Sequence, residues 1–163
     1  MILPIGNAIS PALLQEITTK SQQSLTFADG RTTAGWHARQ VKNNRQANMS
    51  PELNAVFEQV SKALLAHELV QAAARPRHIV SLILSRYGQG MSYGSHVDDA
   101  MMNGARTDLS FTLFLNEPDQ YEGGELIIDE PSAERPFKLS AGSMLLYPSN
   151  CLLYTSPSPR DRT

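Results

Sequence analysis

Residues 86–102 read RYGQGMSYGSHVDDAMM. His96 and Asp98 stand two positions apart, just after a glycine-punctuated turn. Side chains on a strand alternate with period two, so residues i and i+2 face the same way. A strand end carrying His-x-Asp can therefore aim an imidazole and a carboxylate at one point. A second histidine from a neighbouring strand would complete a 2-His-1-carboxylate facial triad, the arrangement that leaves open positions on Fe(II). The chain has four histidines, His37, His67, His78 and His96, and none follows His96. Taken alone, His-x-Asp is a permissive motif that also reads as a plain polar turn.

The bulk composition narrows the setting. A length of 163 residues suits one domain with a hydrophobic core. A net charge of −2 gives no electrostatic case for nucleic acid or an anionic membrane. Charges from Arg31 to Arg45 are all basic, and those from Glu117 to Glu134 are all acidic, two runs that read as solvated faces. Cys151 is the one cysteine, which rules out an intramolecular disulfide and a cysteine metal cluster. The opening MILPIGNAIS lacks a basic n-region, and no apolar stretch approaches the ~20 residues of a membrane span. A soluble, cytoplasmic protein is expected.

Helical signals fall in the first half. Ser10-Pro11 and Ser50-Pro51-Glu52 each read as an N-cap followed by proline at the first helical position. Leu13, Leu14 and Ile17, then Leu53, Val56, Phe57, Val60 and Leu64, follow at helical spacing. The polar segment between them, ADGRTTAGWHARQVKNNRQ, has room for a hairpin. After Pro76 come short runs rich in branched and aromatic residues: HIVSLILSRY, DLSFTLFLNE, GELIID and GSMLLYP. Turn residues separate them, which predicts a β-sandwich or barrel. The expected class is α+β, with N-terminal helices packed on that β-structure.

Several stretches together carry a resemblance. Tyr87-x-x-Gly90-x-x-Tyr93-x-x-His96-x-Asp98 is joined, in order, by DGRTTAG (29–35), VKNN (41–44), RTDLSFTLFLNEP (106–118), YEGGELII (121–128) and KLSAGSMLLYPS (138–149). Collinear over most of the chain to about Ser149, they resemble the prolyl-4-hydroxylase-like Fe(II)- and 2-oxoglutarate-dependent dioxygenases, and more narrowly the bacterial PKHD-type hydroxylases. The resemblance implies a double-stranded β-helix, or jelly roll, with iron in its mouth. It makes His96 and Asp98 iron ligands. Tyr87 becomes a hydrogen-bond donor to 2-oxoglutarate or a lining aromatic, Tyr93 a packing residue, and Gly123-Gly124 a tight turn before a strand. It implies decarboxylation of 2-oxoglutarate to succinate and CO2, coupled through O2 to C–H hydroxylation. Ascorbate is expected as reductant.

The tail departs from that pattern. In the family a second iron histidine follows the Y-P-S tyrosine by six positions, and an arginine for the far carboxylate of 2-oxoglutarate lies ten beyond. Counted from Tyr147, these places hold Leu153 and Thr163. The sequence from Cys151, CLLYTSPSPRDRT, is unlike a final barrel strand. One codon choice for it spells a transposase-type sequencing adapter, so it is expected to be a non-native tail on a truncated gene fragment. The expected organisation is 1–76 helical support, 77–150 a jelly roll incomplete at its C-terminal strands, and 151–163 non-native. The parent protein is then an Fe(II)/2-oxoglutarate hydroxylase of unknown small-molecule or peptide substrate, and this chain an unstable, inactive piece of it. A non-catalytic jelly-roll binding module and a cupin-like metal enzyme without 2-oxoglutarate remain alternatives. Neither substrate nor oligomeric state is legible.

Overall fold

The computed structural model describes residues 1–157. In chain order the elements are β1 (Leu3–Ile5), α1 (Pro11–Gln23), β2 (Phe27–Asp29), α2 (Trp36–Arg39), β3 (Lys42–Asn43), β4 (Arg45–Ala47), α3 (Pro51–Ala66) and α4 (Glu68–Ala74). There follow β5 (Ser85–Arg86), β6 (Ser92–His96), β7 (Met101–Met102), β8 (Ala105–Arg106), β9 (Leu109–Leu113), β10 (Leu126–Glu130), β11 (Ala133–Phe137), β12 (Met144–Pro148) and β13 (Leu152–Thr155).

The helices begin where the caps place them. Ser10 Oγ accepts from the Leu13 amide at 3.1 Å, and Ser50 Oγ from the Leu53 amide at 3.1 Å. Each cap satisfies one amide of the first turn, which has no partner within the helix. Leu13 and Ile17 of α1 and Leu53, Val56, Val60 and Leu64 of α3 are buried. They pack on Met144 and Leu146 of β12.

β12 separates two cores. Its run MLLYP is buried from Met144 to Tyr147, apolar on both faces, as a strand covered on both sides requires. Met144 and Leu146 face the helices, while Leu145 and Tyr147 join Phe114, Leu126, Ile128, Phe137 and Leu153 in a second cluster. That second cluster fills the space between two antiparallel sheets. One has the order β1-β12-β9, the other β11-β10-β13-β6-β3. The first 76 residues thus supply a strand to each sheet, as well as the helices. β2 and β4 pair within the segment where a hairpin was expected, and β5 adds to them.

Two expectations change. The run HIVSLILSRY was read as one strand, yet only Ser85 and Arg86 enter a ladder. Residues 79–84 lack ladder partners among the described residues, although Ile79, Leu82 and Leu84 still pack on the helical core. β9 is likewise a terminal strand of its sheet among the described residues. The second change concerns the tail. Residues 152–155 form β13, between β10 and β6. The tetrapeptide LLYT alternates correctly, with Leu153 buried and Leu152 exposed. That local pattern suffices for a strand whatever the composition of the residues after it. Thr163 lies outside the described residues. No helix among the described residues is long and apolar enough to cross a membrane.

Candidate metal centre

The centre is built on β6 and its neighbours. Leu153 of β13 pairs with His96, and Thr155 pairs with Tyr93. Two steps along β13 thus match three along β6, so β6 carries one extra residue, a β-bulge. Tyr93 and His96, three apart, would otherwise face opposite sides of the sheet. With the bulge their rings stack, centroids 3.6 Å apart and planes 12° from parallel. Gly94 permits this geometry, because a Cβ there would lie 2.7 Å from the Val41 Cβ.

His96 Nδ1 lies 2.8 Å from the Gly94 carbonyl oxygen. A carbonyl only accepts, so Nδ1 carries a hydrogen; Nε2 then offers a lone pair when the ring is neutral and donates when it is protonated. That Nε2 is 3.6 Å from Asp98 Oδ1. Two lone-pair atoms facing across this distance repel unless a proton or a metal cation lies between them. The His96 side chain is 8% exposed and that of Asp98 31%, so the pair opens to solvent on the Asp98 side. Burial pulls the Asp98 carboxyl upward, but hydrogen bonds with His96 and Ser110, then the charges of His96 and Lys42, outweigh it and hold it below the usual carboxylate range.

A polar row adjoins the pair. Lys42 of β3 stands opposite Tyr93, which stands opposite Thr155 of β13. Asn44 Nδ2 donates to the Tyr87 hydroxyl at 3.0 Å. Burial raises the Tyr87 phenol, against hydrogen bonds with Asn44 and Thr155. Burial and then the Asp98 charge push the Tyr93 phenol up to about 12. Tyr147 shares a hydrogen bond with Thr112 Oγ1 at 3.0 Å, and burial, then the Asp98 charge, raise its phenol too. Lys42, Asn44 and Ser110 were not read as neighbours of the pair, and neither was Thr155, which lies in the stretch expected to be non-native. The first two occupy alternate positions in VKNN, a signal that they share one face.

Gly30 admits this row. A Cβ there would lie 1.8 Å from Asn44 Oδ1 and 3.2 Å from Lys42 Cε. Gly30→Ala is expected to cost about 1–3 kcal/mol through overpacking. The control is Gly6→Ala, whose Cβ meets nothing within 4 Å. Equal urea midpoints for the two variants would contradict the close packing of Asn44 under Gly30.

The other histidines lie elsewhere. His37 is exposed on α2 against Trp36, and His78 is exposed and outside any strand among the described residues. His67 caps the junction of α3 and α4, with Nδ1 accepting from the Leu69 amide at 3.2 Å and Nε2 3.2 Å from the Asn7 carbonyl oxygen. Cys151 is half-buried, and burial pushes its thiol up. Gly123 and Gly124 have φ of 66° and 70°, the left-handed conformation of a tight turn just before β10.

Residues 82–155 match the family described as the 2OG-Fe(II) oxygenase superfamily. The chain is 48% identical over 153 residues to a PKHD-type hydroxylase of Picosynechococcus, covering 93% of this chain and 69% of that protein. A PKHD-type hydroxylase of Parvibaculum lavamentivorans is 48% identical over 152 residues, with the same two shares, 93% and 69%. The chain belongs to the PKHD-type hydroxylase family. The family's fold agrees with solved structures. A 2OG-Fe(II) oxygenase family oxidoreductase from Burkholderia pseudomallei superposes with a TM-score of 0.67 at 12% identity, over 99% of this chain and 78% of that one. A Pseudomonas putida prolyl-4-hydroxylase gives 0.61 at 16% identity, over 98% and 86%. The two antiparallel sheets are those of a jelly roll. PKHD-type hydroxylases are oxidoreductases of a superfamily that uses Fe(II), 2-oxoglutarate and O2.

The donor set only partly fits such an iron. His96 and Asp98 supply a nitrogen and an oxygen donor with the tautomer already fixed. The residue opposite His96 on β13 is Leu153, 4% exposed and without a donor atom. Among the described residues no three of histidine, cysteine, aspartate and glutamate converge on one point.

Proposed function

We propose that the chain is built on the plan of an Fe(II)- and 2-oxoglutarate-dependent hydroxylase of an unidentified small-molecule or peptide substrate, and that in its present form it is inactive. The observation that carries this reading is the His96–Asp98 pair, in a family of such hydroxylases, opposite a leucine. His96 and Asp98 are the residues that would hold the metal, and Tyr87 is a candidate contact for 2-oxoglutarate. Bound iron with 2-oxoglutarate and O2 supplies the oxidising power for C–H hydroxylation, and ascorbate would keep it ferrous. The chain's own part is orientation. The Gly94 carbonyl fixes the His96 tautomer, the Tyr93 ring holds the imidazole plane, and the apolar cluster of Leu145, Ile128 and Phe137 excludes water behind it. Residues 151–163 are read as the non-native part, with Leu153 standing where a donor is needed.

The test is succinate release from 2-oxoglutarate in air with Fe(II) and ascorbate. No turnover above the metal-only background is expected from the chain. Succinate formation that His96→Ala abolishes would overturn the inactivity. Leu153 also favours a second reading, a jelly-roll binding module without catalysis. That reading gains if a variant with histidine at position 153 binds metal yet shows no charge-transfer absorption with 2-oxoglutarate.

A further inference from the structure

Residues 79–84 read IVSLIL and hold no charge and no proline. Terminal strands are normally blunted by such residues, because a bare edge pairs with any chain that meets it. β9, LSFTL, is equally bare. The Leu84 carbonyl accepts from the Ala47 amide at 2.9 Å, so it faces β4. Backbone groups of an extended chain alternate between its two edges, so those of Ile83 face away from β4. Among the described residues the backbone of 79–84 makes one further hydrogen bond, from the Asn103 side chain to the Val80 carbonyl at 3.5 Å. The edge that carries Ile83 has none.

Packing is unfinished at the same place. An open groove of about 840 Å³ runs between α3 and residues 79–82, past Phe57, Leu65, Ile79 and Leu82. Ile83 is 46% exposed. Ile79, Leu82 and Leu84 pack on the helical core that also takes Leu109, Phe111 and Leu113 of β9. β9 is hydrogen-bonded on one side only, to β12. Two bare edges thus share one helical layer, and neither pairs with the other. One strand inserted between them would join β2-β4-β5 to β9-β12-β1. Covered on both faces, it needs an unbroken apolar run of about five residues, as β12 has in MLLYP. The PKHD-type hydroxylases matched above have chain to supply it, since the match covers 69% of each.

We propose that the bare edge at Ile83 is a docking site for one extended apolar strand, from the part of such a hydroxylase that this chain does not match, seated between residues 79–84 and β9. The proposal rests on the reading of this chain as a piece of a hydroxylase only for the source of the strand.

Hydrogen exchange of the full chain tests it. The probe is the unmatched part of the Picosynechococcus hydroxylase, added as a separate polypeptide on a soluble carrier, with the carrier alone as blank. With the probe, the amides of Ile83 and of β9 are expected to slow together by at least about ten-fold, while those of α1 stay unchanged. Ile83→Pro removes the donor at the bare edge and is expected to bind the probe at least about ten-fold more weakly. Ile83→Val keeps the donor and is expected to bind as the parent does. Protection of β9 without Ile83, or of neither, overturns the proposal. So does Ile83→Pro binding as tightly as Ile83→Val. Protection that arises in the chain alone and grows with its concentration gives the edge to a second copy, and overturns the proposal as well. Co(II) binding by the Leu153→His chain, read alongside, keeps the two ideas apart. Its failure sinks the iron reading and leaves the strand site standing, whereas its success without protection of Ile83 sinks the strand site alone.

Discussion

Replacing Leu153 by histidine is expected to tighten Co(II) binding, as a stand-in for Fe(II), by more than the roughly 10–100-fold that losing an outer-shell partner alone costs a metal site. The argument rests on register. Leu153 lies directly opposite His96 across the β13–β6 ladder, and both face the interior. The bulge in β6 has already turned His96 inward, and its Nε2 faces Asp98 Oδ1 at 3.6 Å. A third donor at 153 approaches from the adjacent strand, the side that the pair leaves open. The exchange is not free of penalty. Leu153 is 4% exposed in the inner cluster, and withdrawing a leucine from such a site costs about 1.5–3 kcal/mol. Leu153→Ala therefore serves as the control, since it loses the packing and gains no donor. Calorimetric titration and visible absorption of Co(II) read the outcome. Leu153→His binding no tighter than Leu153→Ala would remove the metal centre from consideration. A gain that persists when His96→Ala is added would show that the new histidine binds metal on its own, away from the pair.

The parts legible in the sequence were those set by local chemistry. The Ser-Pro caps placed both long helices, because a cap is a bond between residues three apart. GSMLLYP read as a strand because an unbroken apolar run needs cover on both faces, and β12 has it. The approach of His96 to Asp98 was legible because their spacing is two. What escaped depended on partners far along the chain. HIVSLIL has strand chemistry, but a strand also needs a neighbour, and residues 79–84 have no ladder partner among the described residues. LLYT was hidden by the prolines and charges that follow it, although β10 and β6 lie ready to receive it on both sides. Lys42 escaped because a lysine in a basic run reads as solvated. Only the pairing of β3 with β6 turns it inward. Counting six positions from Tyr147 reached Leu153 without any ladder, and the register then put that residue opposite His96.

Leu145→Ala is expected to have the largest effect on stability, a loss of about 3–5 kcal/mol. Leu145 is 0% exposed and sits on β12, the middle strand of its sheet. Pro4 of β1 lies opposite it on one side and Thr112 of β9 on the other, so the backbone cannot settle into the space left behind. The cavity would open among Phe114, Ile128, Tyr147 and Leu153. A domain of this size holds only about 5–15 kcal/mol in total. Among the described residues β9 is paired on one side only and residues 79–84 on neither, so this chain belongs near the lower end. Urea unfolding should therefore show a large fall in midpoint, and a measurable unfolded fraction before urea is added. Leu152→Ala is the matched control. Leu152 is 39% exposed, and its truncation is expected to change stability by no more than about 0.5 kcal/mol. Equal midpoints for the two variants would mean that the inner cluster does not hold the sheets together. The same cavity bears on the site, because Leu153 and Tyr147 line both. Combined with Leu153→His, Leu145→Ala is expected to weaken Co(II) binding without touching a ligand, since the third donor then stands on a strand with nothing packed behind it.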